Sequence, residues 1–193
     1  MVLALPRGGI PVGLEVATKL NAPLDVCVVR RIELPDSGGF LNLTLAGGRL
    51  VVSDMERTQN IKMSENALFR ILEKETREVA RRQRAYRGDY PEIVIAGRSV
   101  LLVDDGLAAP DALIAAAAVA RALAAVRLVV AVPVATGPSY RQLLRFVDEI
   151  VCLEVASPLH GIGASYADFA EVSDLDVRSL HEAARNRLAD ALG

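Results

Sequence analysis

The chain has 193 residues, 52% hydrophobic and 24% charged, a balance that supports one globular domain and excludes a disordered or collagen-like chain. Basic residues number 22 against 24 acids, so a formal charge of −2 gives no overall field to hold a nucleic-acid backbone or an anionic membrane. Aromatics make up 4% and Trp is absent, so no platform for stacked bases is offered, and neither nucleic acid nor membrane is expected as a partner.

In chain order, Val2 to Leu5 is a short apolar run without the basic flank or cleavage site of a signal peptide. Pro6-Arg7-Gly8-Gly9 ends it, and Ile10 to Leu20 follows with apolar residues at helical spacing. Val26 to Val29 is β-branched and of strand length, so the order strand, glycine loop, helix, strand predicts a parallel crossover. Pro35 to Val52 changes character, with Leu41, Leu43 and Leu45 alternating and Gly47-Gly48 as a turn, which predicts a β-hairpin set apart from the main sheet, within a flap spanning 33–59. Residues 61–87 carry a long helical pattern whose late arginines, Arg81, Arg82, Arg84 and Arg87, suit the negative end of a helix dipole and a solvated face.

Val100 to Val103 is continuously apolar, as in a strand buried on both faces, and stops at Asp104-Asp105-Gly106. A helix from about Pro110 to Ala124 is expected next, in a stretch where eleven of the eighteen residues from Ala108 to Ala125 are alanine. Its longest apolar run, Leu113 to Ala120, is far short of the ~20 residues of a membrane span. Arg127 to Val134 reads as a strand, Pro138 to Phe146 as a helix and Glu149 to Val155 as a strand; a terminal helix runs from Asp174, placed to cap it, to Leu192. Cys27 and Cys152 lie in apolar runs as free thiols, which points to a reducing cytoplasm. The alternation predicts a single α/β domain over 1–193, a Rossmann-like open parallel sheet of about five strands with helices on both faces. Ligands of such sheets collect beyond the strands' carboxyl ends, which selects the loops Pro6 to Gly9 and Asp104 to Pro110.

Two carboxylates at the end of a buried strand, followed by Gly and a helix, place acceptors for sugar hydroxyls beside an anion site at a helix N-terminus. Gly8 and Gly9 let backbone approach a ligand, and Arg7 can pair with a phosphate. His160 and His181 are isolated and read as surface or structural residues. A receiver domain would need a Lys at a late strand end, and Lys19, Lys62 and Lys74 do not qualify.

These residues resemble the type I phosphoribosyltransferases. Val100 to Leu113, VLLVDDGLAAPDAL, lies without a gap over that family's run of four apolar residues, two acids and a Gly-rich loop. VLALPRGGIPVGLEVATKL, Leu24 to Arg31 and YADFAEVSDLDV (Tyr166 to Val177) resemble a bacterial subgroup over most of the chain. The resemblance implies a five-stranded core, a closing flap and a hood built from the terminal segments, here expected to be small or truncated because the first strand starts almost at residue 1. It implies displacement of pyrophosphate from C1 of phosphoribosyl pyrophosphate by a nitrogen nucleophile, with Mg²⁺ chelated by the substrate and no metal ligand from the protein. Asp104 and Asp105 become the catalytic acids that hold the ribose hydroxyls, and Gly106, Leu107, Ala108, Ala109, Pro110 and Asp111 the ribose-phosphate loop. Arg7, Gly8, Gly9 and Arg31 would face the pyrophosphate. The loop from Ala156 to Ser165 and Phe169 would form the base site, whose acceptor the residues do not specify.

The departures cluster where the phosphate belongs. Family Thr-Gly-x-Thr is replaced by Ala109-Pro110-Asp111-Ala112, which removes two hydroxyls and one N–H and adds a carboxylate. Each lost bond to a charged group is worth about 1.5–3 kcal/mol, and a like charge ~5 Å away repels by roughly 3 kcal/mol at an effective dielectric near 20. The expectation is therefore a transferase-family protein that takes a phosphorylated sugar or nucleotide with weakened or lost phosphoribosyl pyrophosphate binding. The alternatives are an active transferase whose 5-phosphate is held by arginines of the helix ending at Arg87, and a non-catalytic regulatory or assembly module, with a homo-oligomer left open, that uses the alanine-rich helix as a contact surface.

Overall fold

The main sheet of the computed structural model, which describes residues 1–36, 39–52, 62–156 and 161–192, has five parallel strands. They are β1 (Val2–Ala4), β2 (Leu24–Val26), β6 (Ser99–Val103), β7 (Arg127–Thr136) and β8 (Glu149–Ala156), in the spatial order β2-β1-β6-β7-β8. Between β2 and β6 the chain builds a separate antiparallel sheet of β3 (Val29–Asp36), β4 (Gly39–Ala46) and β5 (Arg49–Val52). The helices are α1 (Gly9–Lys19), α2 (Glu65–Arg87), α3 (Asp111–Ala122), α4 (Gly137–Leu143) and α5 (Asp174–Leu192).

The run Val26 to Val29 is not one strand. Main-sheet pairing ends at Val26, Cys27 N–H still donates to the Ala4 carbonyl at 2.9 Å, and Val29 already pairs with Ala46 in the antiparallel sheet. Val26, Cys27 and Val28 are all buried, so the apolar run reflects a crossing between two sheets. The expected hairpin is accordingly three-stranded and begins earlier, at Val29; residues 37–38 and 53–59 of the expected flap lie outside the described residues. Helix α2 starts at Glu65, with the Ser64 side chain accepting from Ala67 N–H. Ser173, not Asp174, caps α5: Ser173 Oγ accepts from Asp176 N–H at 3.1 Å while Asp176 Oδ2 accepts from Ser173 N–H at 2.9 Å, a reciprocal capping box.

The core has two halves, one on each face of the main sheet. Val2 and Ala4 join Ile10, Ala17 and Leu24 on the α1 face, together with Ile32, Leu34, Leu43 and Leu45 of the antiparallel sheet and Val79 and Tyr86 of α2. Leu3 and Leu5 join Leu102, Leu128, Val130 and the α3 alanines on the opposite face. Helix α3 touches β6 and β7 on one side and β3, β4 and β5 on the other. A helix held between two sheets has little room for side chains, and Ala115, Ala116, Ala117 and Ala120 are all buried. That packing accounts for the alanine cluster, whose helix is an internal spacer and not the free contact surface expected of an assembly module. No described helix is long and apolar enough to cross a membrane.

Candidate functional site

β1 and β6 are neighbours in register, Ala4 opposite Val103, and their helices α1 and α3 leave to opposite faces of the sheet. The chain therefore diverges at their carboxyl ends, the place where an open α/β sheet leaves a crevice. Leu5 N–H donates to the Val103 carbonyl at 2.9 Å, which carries the loop Pro6 to Gly9 directly over Asp104 and Asp105; the Pro6–Arg7 peptide is cis. A Cβ on Gly8 would land on Asp105 Oδ2, and one on Gly9 would lie 2.8 Å from the Val103 carbonyl oxygen and 3.0 Å from Asp104 Cα. Gly8 has a helical φ of −61°, so close approach, not turn geometry, demands glycine there. The two loops selected from the sequence thus form one surface around the acid pair.

Asp105 N–H donates to Asp104 Oδ1 at 3.0 Å, holding the two acids together. Burial first, then the neighbouring Asp105, pushes the Asp104 carboxyl up to about 8, and burial likewise raises Asp105. Both carboxyls therefore hold their protons to higher pH than free aspartates do.

Downstream, Leu107 pins the loop. It is fully buried, its N–H donates to the Val134 carbonyl at 2.9 Å, and its carbonyl accepts from Thr136 N–H at 3.0 Å. The Ala108 carbonyl accepts from the Ser139 hydroxyl at 2.6 Å, and Pro110 occupies the N-cap position of α3 with no side-chain cap. The first N–H groups of α3 lack intrahelical partners. Asp111 stands beside them in the first turn and accepts from Arg31 Nη2 at 3.1 Å. Its carboxylate is paired, so the repulsion expected from the sequence is smaller than a bare charge would give.

Arg7, the other predicted anion ligand, donates from Nη2 to Glu171 Oε1 at 2.6 Å and has Nη1 4.0 Å from Asp174 Oδ1. Both predicted cations are therefore held by acids at exposed or half-exposed pairs, which are weak enough for an anionic ligand to take over. The late arginines of α2 are also engaged. Arg81 and Arg82 donate to Glu78, and buried Arg87 donates to Asp25 at 2.8 Å. His181 is fully buried, with Nε2 3.7 Å from Asp25 Oδ1; His160 lies outside the described residues.

Two cavities flank the acid pair. One of about 410 Å³ is lined by Arg7, Gly8, Asp105, Tyr166, Phe169 and Val172. The other, of about 210 Å³, is lined by Leu5, Pro6, Arg31, Thr44, Asp104 and Ala112. The sequence reading placed Phe169 in the site but missed Tyr166, whose hydroxyl donates to the Asp105 carbonyl at 2.5 Å and whose ring packs on Phe169 at 4.9 Å. Ile162 belongs to the expected base loop, and a Cβ on Gly106 would meet it at 2.5 Å; Glu171 and Thr44 were missed. Residues 157–160 of the expected base loop lie outside the described residues. No group of three or more His, Cys, Asp or Glu side chains among the described residues could hold a metal ion.

No protein-family model matches the chain. Two Mycobacterium tuberculosis proteins, from strains CDC 1551 / Oshkosh and ATCC 25618 / H37Rv and both named "putative phosphoribosyl transferase", are 34% identical over 193 residues, 99% of this chain. The chain spans 43% of the length of those relatives. The crystal structure of TT1426 from Thermus thermophilus is similar with a TM-score of 0.79 and 35% identity, covering 93% of this chain and 85% of that one.

Proposed function

We propose that the chain is a member of the type I phosphoribosyltransferase family that binds a phosphorylated ribose across Asp104 and Asp105, with the 5-phosphate held weakly. The observation that carries this reading is the convergence of Gly8 and Gly9 on the acid pair, which brings the loop backbone against the two carboxyls where Asp105 lines one cavity and Asp104 the other. Asp104 and Asp105 accept hydrogen bonds from the 2′ and 3′ hydroxyls. Arg7 and Arg31 exchange Glu171 and Asp111 for the pyrophosphate, and the wall of Tyr166, Phe169 and Val172 takes a flat acceptor. In the transfer, the bond from C1 to the pyrophosphate oxygen breaks, pyrophosphate leaves with the electron pair, and a nitrogen of the acceptor bonds to C1. Preorganised acids beside the ribose favour the positive charge that develops on it. Mg²⁺ enters this reading as a companion of the substrate's pyrophosphate, neutralising its charge. Loss of hydroxyls at Ala109 and Ala112 and of an N–H at Pro110 makes transfer slow. The free thiols Cys27 and Cys152 accord with a cytoplasmic protein.

Crystals grown with phosphoribosyl pyrophosphate and Mg²⁺ test the reading. Ribose density across Asp104 and Asp105 supports it, whereas ligand bound elsewhere, or not at all, overturns it. A second reading, as an assembly module, rests on the sheet edge, where Val151, Leu153 and Val155 expose one apolar face of β8, with Leu153 84% exposed. Light scattering that finds a stable oligomer, lost in Leu153→Lys, favours it; a monomer at all concentrations excludes self-assembly.

A further inference from the structure

Thr44 is 2% exposed, and its hydroxyl is buried without a hydrogen-bond partner among the described residues. An unmade hydrogen bond of a buried hydroxyl is destabilising, and a Val of the same shape would avoid it. Most buried neighbours on β4 are apolar, as Leu43, Leu45 and Ala46 show, so packing alone gives no reason for a hydroxyl. Its position supplies one. Thr44 stands directly opposite Arg31 in the β3–β4 register, on the side of the antiparallel sheet that carries Val29 and faces α3. Thr44 and Arg31 together form the outer wall of the 210 Å³ cavity, with Asp104, Pro6 and the first turn of α3 completing it. Arg31 is already committed to Asp111, a carboxylate standing where the sequence led us to expect a phosphate.

We propose that this cavity is an oxyanion subsite in which Thr44 and Arg31, one from each of two paired strands, take a phosphate group of the ligand. The proposal rests on the reading of the chain as a binder of phosphorylated ribose and adds to it a hydroxyl donor from the antiparallel sheet. Thr44 supplies a hydroxyl of the kind that Ala109 and Ala112 lack. Asp111 occupies Arg31 until the anion arrives. Two groups of the same chemistry could fill the subsite, the pyrophosphate and the 5-phosphate.

The test compares wild type, Thr44→Val and Thr44→Ser by calorimetric titration with inorganic pyrophosphate and, separately, with ribose 5-phosphate. Thr44→Val is expected to raise the melting temperature of the ligand-free protein, because the orphaned hydroxyl is gone. It is expected to weaken one of the two anions by about tenfold or more, the loss of one bond to a charged group, with Thr44→Ser close to wild type. The weakened anion identifies the group that occupies the cavity. Thr44→Val binding both anions within about twofold of wild type overturns the proposal, as does a wild type that binds neither. Phosphoribosyl pyrophosphate density at Asp104 and Asp105 alongside an indifferent Thr44→Val refutes this subsite alone. Thr44-dependent pyrophosphate binding without ribose at the acid pair refutes the substrate reading and leaves the subsite standing.

Discussion

Replacing Asp111 by Asn removes a charge from the first turn of α3 and releases Arg31 while keeping the side chain's size. The Arg31–Asp111 pair spans 3.1 Å with the two side chains 44% and 30% exposed, so its loss costs about 0.2–1 kcal/mol of stability. Asp111 also lies at the positive end of the α3 dipole, worth a further ~0.3–1 kcal/mol, so the variant should be less stable by roughly 0.5–2 kcal/mol in all. Ligand affinity should move the other way. A carboxylate ~5 Å from a phosphate charge repels it by about 3 kcal/mol at an effective dielectric near 20, and Arg31 at present cancels part of that. Removing the acid and freeing the guanidinium together should tighten phosphoribosyl pyrophosphate between about tenfold and a hundredfold. Calorimetric titration at neutral pH with Mg²⁺, repeated at high salt, reads the effect, and its size should shrink as salt screens it. An Asp111→Asn variant with unchanged or weaker affinity would refute the reasoning and would mean that Asp111 itself serves the ligand.

The two loop glycines should fail in different ways. Gly8→Ala pushes against the Asp105 side chain, so ligand binding is lost with little change in melting temperature, while Gly9→Ala meets the backbone at Val103 and Asp104 and should destabilise by about 1–3 kcal/mol; equal behaviour of the two would contradict the geometry. Stability should also depend on pH through Asp104. Its folded value is raised from 3.8 to about 8, so the folded protein keeps a proton that the unfolded chain has released, and stability falls as pH rises between about 4 and 8. Asp104→Asn, with no proton to lose, should flatten that fall in urea denaturation at pH 5 and pH 8, and an unaltered slope would show that the acid is not held protonated. Ser173→Ala opens the capping box of α5 and should cost ~1 kcal/mol in thermal denaturation, whereas Asp174→Ala should leave the cap intact.

The order of strands and helices was legible because local patterns carry it. Val100 to Val103 is apolar on both faces and ends on charge, and Ile10 to Leu20 repeats at helical spacing. The split of Val26 to Val29 between two sheets was not, because burial writes the same β-branched text whichever sheet a residue joins. Strand β3 was hidden for a related reason. Arg30, Arg31 and Glu33 interrupt its apolar residues, and only the structure shows Arg30 held by Glu75 of α2 and Arg31 by Asp111. The glycines and acids of the site could be named from sequence since their roles depend on backbone approach and strand ends. The engagement of Arg7 by Glu171 and of Arg31 by Asp111 joins residues 164 and 80 positions apart, beyond the reach of any local pattern. The alanines illustrate both sides. At Ala109 and Ala112 they stand where hydroxyls were expected, and from Ala115 to Ala120 they let a helix fit between two sheets.

The central claim is that Asp104 and Asp105 receive the ribose. Titration of phosphoribosyl pyrophosphate with Mg²⁺ into the wild type and into the Asp104→Asn, Asp105→Asn double variant tests it most directly. The account predicts weak, saturable binding to the wild type that disappears in the folded double variant. Equal binding to both proteins, or no binding to the wild type at millimolar ligand, would contradict it.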